Sequence, residues 1–150
     1  MAVDLKAIKK LRDETSASIA DVRKALDEAN GDEKKALEWL KKRAAEIAAK
    51  KADRETSEGL IEAYIHGGGK VGVLVELSCE TDFVAKTDEF KALAKEVAMQ
   101  VAAMNPADVD ALLAQTYIRD GSQTIEQLVK NTIGKIGENI SVKRFIRFEL

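Results

Sequence analysis

The sequence predicts an α+β protein: a small three-helix module followed by a three-stranded antiparallel sheet covered by helices. Three observations carry that expectation. Up to about residue 53, apolar residues recur every three or four positions with charges between them. From residue 60 the pattern shortens toward a period of two, in β-rich runs split by glycines. The chain then closes on another alternating run, Ile140 to Phe148.

In the first helix Leu5, Ile8 and Leu11 form the stripe. The second opens at Ser18, whose spacing to Asp21 resembles a capping box, and its stripe is Ile19, Val22, Leu26 and Ala29. Asn30-Gly31 stops it, because glycine tolerates the left-handed conformation that ends a helix. Asp32 caps the third helix, with Leu37, Leu40, Ala44 and Ile47 along one side. A core of three such stripes is marginal alone, so the module is expected to be a docking piece. Residues 50–59 hold few apolar side chains and read as a frayed helix end and linker. The expected division is therefore 1–53 and 54–150.

Leu60–His66 and Val71–Ser78 form a hairpin around Gly67-Gly68-Gly69-Lys70. Next comes a long helix from about Thr87 to Met104, carrying Phe90, Leu93, Ala94, Val97, Val101 and Met104 on one side and ended by Asn105-Pro106. Val109–Ile118 is ambiguous. Ile125, Leu128, Val129, Ile133 and Ile136 mark another helix. In the last strand Ile140, Val142, Ile146 and Phe148 share one parity. Val73, Val75 and Leu77 have the opposite parity to Leu74, so the sheet is apolar on both sides, and a second copy of the chain is the expected cover.

The bulk composition excludes several classes. Of 150 residues, 45% are hydrophobic and 33% charged, which fits a globular domain and not a disordered one. The net charge of −2 gives no general affinity for nucleic acid or anionic membranes. The single cysteine, Cys79, excludes an internal disulfide. No stretch approaches the ~20 apolar residues of a membrane helix. Asp4, Lys6, Lys9 and Lys10 fall where a signal peptide has its apolar core, so a cytoplasmic protein is expected.

Candidate chemistry is sparse. The glycine run before Lys70 has the look of a phosphate loop, but it joins two strands, whereas a phosphate loop leads into a helix. His66 and Cys79 would sit at opposite ends of paired strands, too far apart for a nucleophile and its base. Glu80, Asp82, Asp88 and Glu89 lack the spacing of a calcium loop, and acids are in any case expected near a helix start. No metal or cofactor is expected. The odd feature is Glu80-Thr81-Asp82-Phe83-Val84-Ala85-Lys86, where large apolar groups stand among charges before the helical stripe begins. Periodicity alone assigns Phe83 to the core; the other reading is an exposed aromatic wedge beside a carboxylate.

Thr81-Asp82-Phe83-Val84, placed after a Gly-x-Val-Leu-Val-Glu strand, resembles the motif of elongation factor Ts. The likeness extends in order along the chain. Leu11–Thr15 and Lys24–Asp32 are similar to that family's ubiquitin-associated-like N-terminal module, and Glu58–Ile61 to the entry into its core. Lys135–Ile140 and Arg144–Glu149 resemble its closing helix and strand. The resemblance implies a factor without covalent chemistry that binds elongation factor Tu and promotes GDP release. Phe83 would be a wedge near the GTPase magnesium site, with Asp82 its polar neighbour and Thr81 and Val84 completing the motif. Thr15, Ser16, Ala17, Ser18 and Ile19 would dock separately, although Thr15–Ser18 stands where the family commonly has Thr-Gly-Ala-Gly. The chain also lacks a helical segment that the family usually carries after the equivalent of Pro106. Short members dimerise through the sheet, and Ile146 stands where some have a cysteine, so a noncovalent dimer is implied. The alternative is a protein-binding module with no effect on nucleotide exchange.

Overall fold

The computed structural model describes residues 3–150. Three helices, α1 (Leu5–Thr15), α2 (Ile19–Glu28) and α3 (Glu33–Lys51), precede strands β1 (Glu58–His66) and β2 (Val71–Cys79). A short helix α4 (Asp82–Ala85) leads into α5 (Asp88–Met104), followed by α6 (Val109–Ala114), α7 (Ile125–Ile136) and strand β3 (Ile140–Glu149). The strands pair antiparallel in the order β1-β2-β3, giving an α+β fold as the periodicity predicts.

Each helix begins where a short polar side chain caps it. Asp4, Ser18, Asp32, Thr87, Asp108 and Thr124 each accept a backbone N–H from the first turn of their helices. Such a cap satisfies donors that have no partner inside the helix, for about 1 kcal/mol. The reciprocal capping box forms at Thr124 and Gln127. At Ser18 the Oγ accepts from Asp21 N at 3.0 Å.

Two apolar clusters form. One lies within the first three helices, around Leu11, Val22, Ala25, Leu26, Ala36 and Leu40. The other joins the inner face of the sheet (Val73, Val75, Leu77, Cys79) to Phe90, Leu93, Val97 and Val101 of α5 and Ile125, Val129 and Ile133 of α7. Helix α3 serves both, because Ala48 near its end belongs to the second cluster. It packs on α7 so closely that a Cβ on Gly134 would stand 3.1 Å from the Ala44 Cβ. The expected linker is short and tied down. Asn139 Nδ2 donates to the carbonyls of Ala52 (3.4 Å) and Arg54 (2.8 Å), and Thr56 is buried against the Ser78 hydroxyl at 2.9 Å.

Sequence periodicity misplaced several side chains. Leu5 and Ile19, read as stripe residues, are exposed at the near ends of their helices, as is Met104 at the end of α5. In β3 the expected single parity is split. Leu77 pairs with Val142 and Glu76 with Arg144, so Lys143 is the extra residue of a β-bulge. Ile140 and Val142 point into the core before the bulge, whereas Ile146 and Phe148 after it point out. The inward positions beyond it go to Phe145 and Arg147. The Arg147 guanidinium then donates to Ala102 O near the end of α5 (3.2 and 3.0 Å), where a cation suits the helix dipole. The ambiguous stretch after Pro106 is α6 and an irregular turn pinned by buried Gln100, whose side chain bonds Gln115 Oε1, Thr116 O and Ile118 N.

Gly59 marks where β1 joins the sheet. Its φ is +152°, and a Cβ there would lie 2.1 Å from Leu77 O, inside backbone that cannot swing away. Gly59→Ala should therefore cost at least ~2 kcal/mol, from the strained conformation and the displaced strand. Urea unfolding checks this, and a loss below ~0.5 kcal/mol would show that the strand entry is free to shift.

Candidate functional site

The corner between β2 and α5 is held from three sides. Thr81 caps α4, its Oγ1 accepting from Val84 N at 3.3 Å. The same hydroxyl donates to Glu138 Oε2 at 2.8 Å, while Glu138 Oε1 accepts from the backbone N–H groups of Glu80 (3.2 Å) and Thr81 (3.0 Å). In return Glu80 Oε1 accepts from Asn139 N at 2.8 Å, and Arg54 stands 3.5 Å from Glu80 Oε2. The Cys79 thiol donates to Thr81 O at 3.1 Å, and the Thr87 hydroxyl to Val84 O at 2.7 Å.

This scaffold decides which residues of the corner face water. Val84 and Ala85 turn into the core with Phe90 behind them. Phe83 cannot follow and stands 79% exposed, which overturns its assignment to the core by periodicity. Asp82 is exposed beside it, 3.5 Å from Lys86 on the next turn. Of the four motif residues, then, Thr81, Asp82 and Phe83 are exposed, Thr81 with its hydroxyl engaged by Glu138 and by Val84 N, and Val84 is largely buried.

The second predicted set lies between α1 and α2. Thr15 Oγ1 donates to Leu11 O at 2.6 Å and accepts from Ala17 N at 3.2 Å, closing the turn. Ser16 takes φ +55°, the left-handed position that favours glycine. Ser18 is the cap of α2, and Ile19 is 45% exposed. Ser16 and Ile19 face Phe83 and Val84 across an open groove of about 910 Å³, whose walls also include Leu5, Arg12 and Ile136. Thr15, Ala17 and Ser18 turn to an adjoining cavity against α7. The structure thus brings Ser16 and Ile19 together with Phe83, although they are more than sixty positions apart in the chain. Sequence reasoning missed Leu5, exposed on the groove, and Glu138, which holds the corner. The only signal for Glu138 was a polar pair directly after the helix-ending Gly137.

The rejected constellations are separated or otherwise engaged. His66 pairs with Val71 and Cys79 with Glu58, at opposite ends of the hairpin. His66 Nδ1 is 2.8 Å from the Tyr64 hydroxyl. Among the described residues no group of three or more His, Cys, Asp or Glu side chains could hold a metal ion. Among them, too, no helix is long and apolar enough to cross a membrane.

Fold and corner together define an α+β protein that presents an aromatic side chain beside a helical module. Comparison with known proteins identifies the family. The family model described as Elongation factor TS matches residues 80–150, the part that begins at this corner. "Elongation factor Ts" of a Thermoanaerobacter species is 41% identical, with 98% of this chain and 94% of that protein covered. That alignment runs over 192 residues against the 150 of this chain, so the relative carries intervening residues absent here. A Nostoc protein of the same name is 47% identical over 99% of this chain and 47% of its own length. "Elongation factor Ts, chloroplastic" of Guillardia theta is 43% identical over 99% and 89%. The chain belongs to the elongation factor Ts family.

Cys79 reports on the integrity of the corner. Burial first, and then the charge of Glu138, push its thiol up to about 11 from an ordinary 9.0. The folded protein therefore holds the thiol proton more tightly than the unfolded chain. This contribution to stability is complete below about pH 9 and is lost as pH rises toward about 11. Native protein at pH 8 should resist iodoacetamide until denaturant is added. The alkaline fall in urea midpoint should be shallower in Cys79→Ala, and rapid native alkylation would contradict the closed corner.

Proposed function

We propose that this chain is a guanine nucleotide exchange factor of translation elongation, acting in the cytoplasm on elongation factor Tu without covalent chemistry. Membership of the elongation factor Ts family supports the general role. The observation that carries the mechanism is Phe83, a large aromatic left in water on a corner that is otherwise tied down. Phe83 enters the GTPase near its magnesium site, with Asp82 as the polar partner. The turn Thr15–Ile19 docks on the same GTPase across the groove, so residues 1–53 act as a docking unit and 54–150 as the exchange unit. The physical basis is linkage: a factor that binds the nucleotide-free GTPase more tightly than its GDP form weakens GDP by the same ratio. No bond has to be made; binding energy at the corner offsets the distortion of a phosphate or metal contact.

The outer face of the sheet supports a homodimer. Ile61, Ile65, Leu74, Ile146 and Phe148 are exposed there, and the pairing aligns Ala63, Leu74 and Ile146 in one row and Ile65, Gly72 and Phe148 in the next. A contiguous apolar surface of this kind is covered in stable proteins. Light scattering is expected to give twice the chain mass for the parent protein and the single mass for Leu74→Lys. A monomeric parent would remove the dimer.

Phe83→Ala should slow stimulated release of fluorescent GDP from elongation factor Tu by at least ~10-fold, equal to ~1.4 kcal/mol. Its melting temperature should stay near that of the parent, since truncating a buried phenylalanine instead costs about 3–5 kcal/mol. Ile19→Ala should raise the concentration needed for half-maximal exchange and leave the saturating rate unchanged. Binding of the parent protein without any faster GDP release would favour a plain binding module.

A further inference from the structure

We propose that Glu138 is the positioning residue of the exchange corner, fixing the backbone from which Phe83 projects; this rests on Phe83 being the exchange wedge. A helix of four residues cannot hold its own shape, because nucleation costs more than one turn of hydrogen bonds returns. The orientation of Phe83 must come from outside α4. Cys79 and Thr87 tie carbonyls of the corner, but Glu138 alone among the described residues accepts from Glu80 N, Thr81 N and the Thr81 hydroxyl at once.

The chemistry suits that task. A carboxylate that accepts backbone N–H groups forms charge-assisted bonds, stronger than neutral ones. By accepting the hydrogen bond that the Thr81 hydroxyl donates, Glu138 leaves the oxygen lone pairs of Thr81 free to cap Val84 N, so one side chain sets both the start of the turn and its cap. Glu138 is itself placed by Gly137, whose φ of +84° turns the chain sharply off α7. The bond from Asn139 N to Glu80 Oε1 then makes the tie reciprocal, so neither segment can shift without the other. The Glu138 carboxylate thus links the corner directly to the chain leaving α7, the helix on which α3 of the docking module packs.

The test measures stimulated GDP release, over a range of factor concentrations, for the parent, Glu138→Ala, Glu138→Gln, Phe83→Ala and the Glu138→Ala/Phe83→Ala double variant. Glu138→Ala is expected to lower kcat/KM about 10-fold, the scale of a lost charged network. Glu138→Gln, which keeps one acceptor oxygen, should recover most of that. The double variant should be no slower than Phe83→Ala, because Glu138 acts only through the ring it positions. Amide exchange in the free protein should quicken at Glu80, Thr81 and Val84 in both Glu138 variants, more in Ala than Gln, and stay unchanged in α5. A normal rate for Glu138→Ala beside a slow Phe83→Ala would overturn the positioning role and leave the wedge standing. So would losses that multiply in the double variant. A normal rate for Phe83→Ala would overturn the wedge itself and the positioning role with it. Should Glu138→Ala not fold, Glu138→Gln decides: unchanged amide exchange at Glu80 and Thr81 overturns the positioning role.

Discussion

An aromatic ring kept in water is an unstable arrangement unless the backbone beneath it is fixed. Burying a phenylalanine side chain is worth about 1.5–3 kcal/mol, yet Val84, one residue on, is buried while the ring is not. The carboxylate of Glu138, closed over Glu80 and Thr81, opposes that burial. Everything nearby follows from the tie. β2 must end at Cys79, Thr81 must stand as the cap from which α4 starts at Asp82, and the α7–β3 connection must turn at Gly137 to bring Glu138 within reach. The sheet, α5 and α7 form a frame that brings two distant pieces of chain to one corner.

The same frame sets the second surface. α3 spans both apolar clusters, and its close crossing with α7 at Ala44 and Gly134 leaves little freedom between helical module and core. The exposed Ile19 and the exposed Phe83 therefore face one groove at a spacing fixed by helix packing, not by a flexible tether. A partner that touches both would meet a preformed surface, and preformed surfaces lose less entropy on binding. This is the sense in which a chain of 150 residues with two small cores can act as one unit.

Much of this was legible in the sequence because periodicity reports burial. The long stripes of α2, α5 and α7 and the hairpin around Gly67–Gly69 were set by local pattern and turn chemistry. What was not legible depended on pairing at a distance. The bulge at Lys143 inserts one residue without any local mark, and one residue is enough to send Ile146 and Phe148 to the outer face. Leu5 and Ile19 fit their stripes by spacing but lie at the first turns, beyond the edge of the small core. The corner was partly legible: the oddity of Phe83 showed in its charged neighbours, and resemblance to a family motif pointed to exposure. The role of Glu138 was hidden, because the polar pair after Gly137 does not say which backbone, 57 positions away, it will reach.

If Phe83 is the proposed exchange wedge, its corner occupies the nucleotide cleft of the GTPase while exchange takes place. Replacing Phe83 with the photoreactive analogue benzoylphenylalanine and irradiating the nucleotide-free complex tests it directly. Crosslinks are expected in the GTPase beside its magnesium site, and excess GDP with magnesium should abolish them as the complex dissociates. A complex that forms fully yet gives no crosslink there, or gives one only at a surface remote from the nucleotide, would contradict the claim.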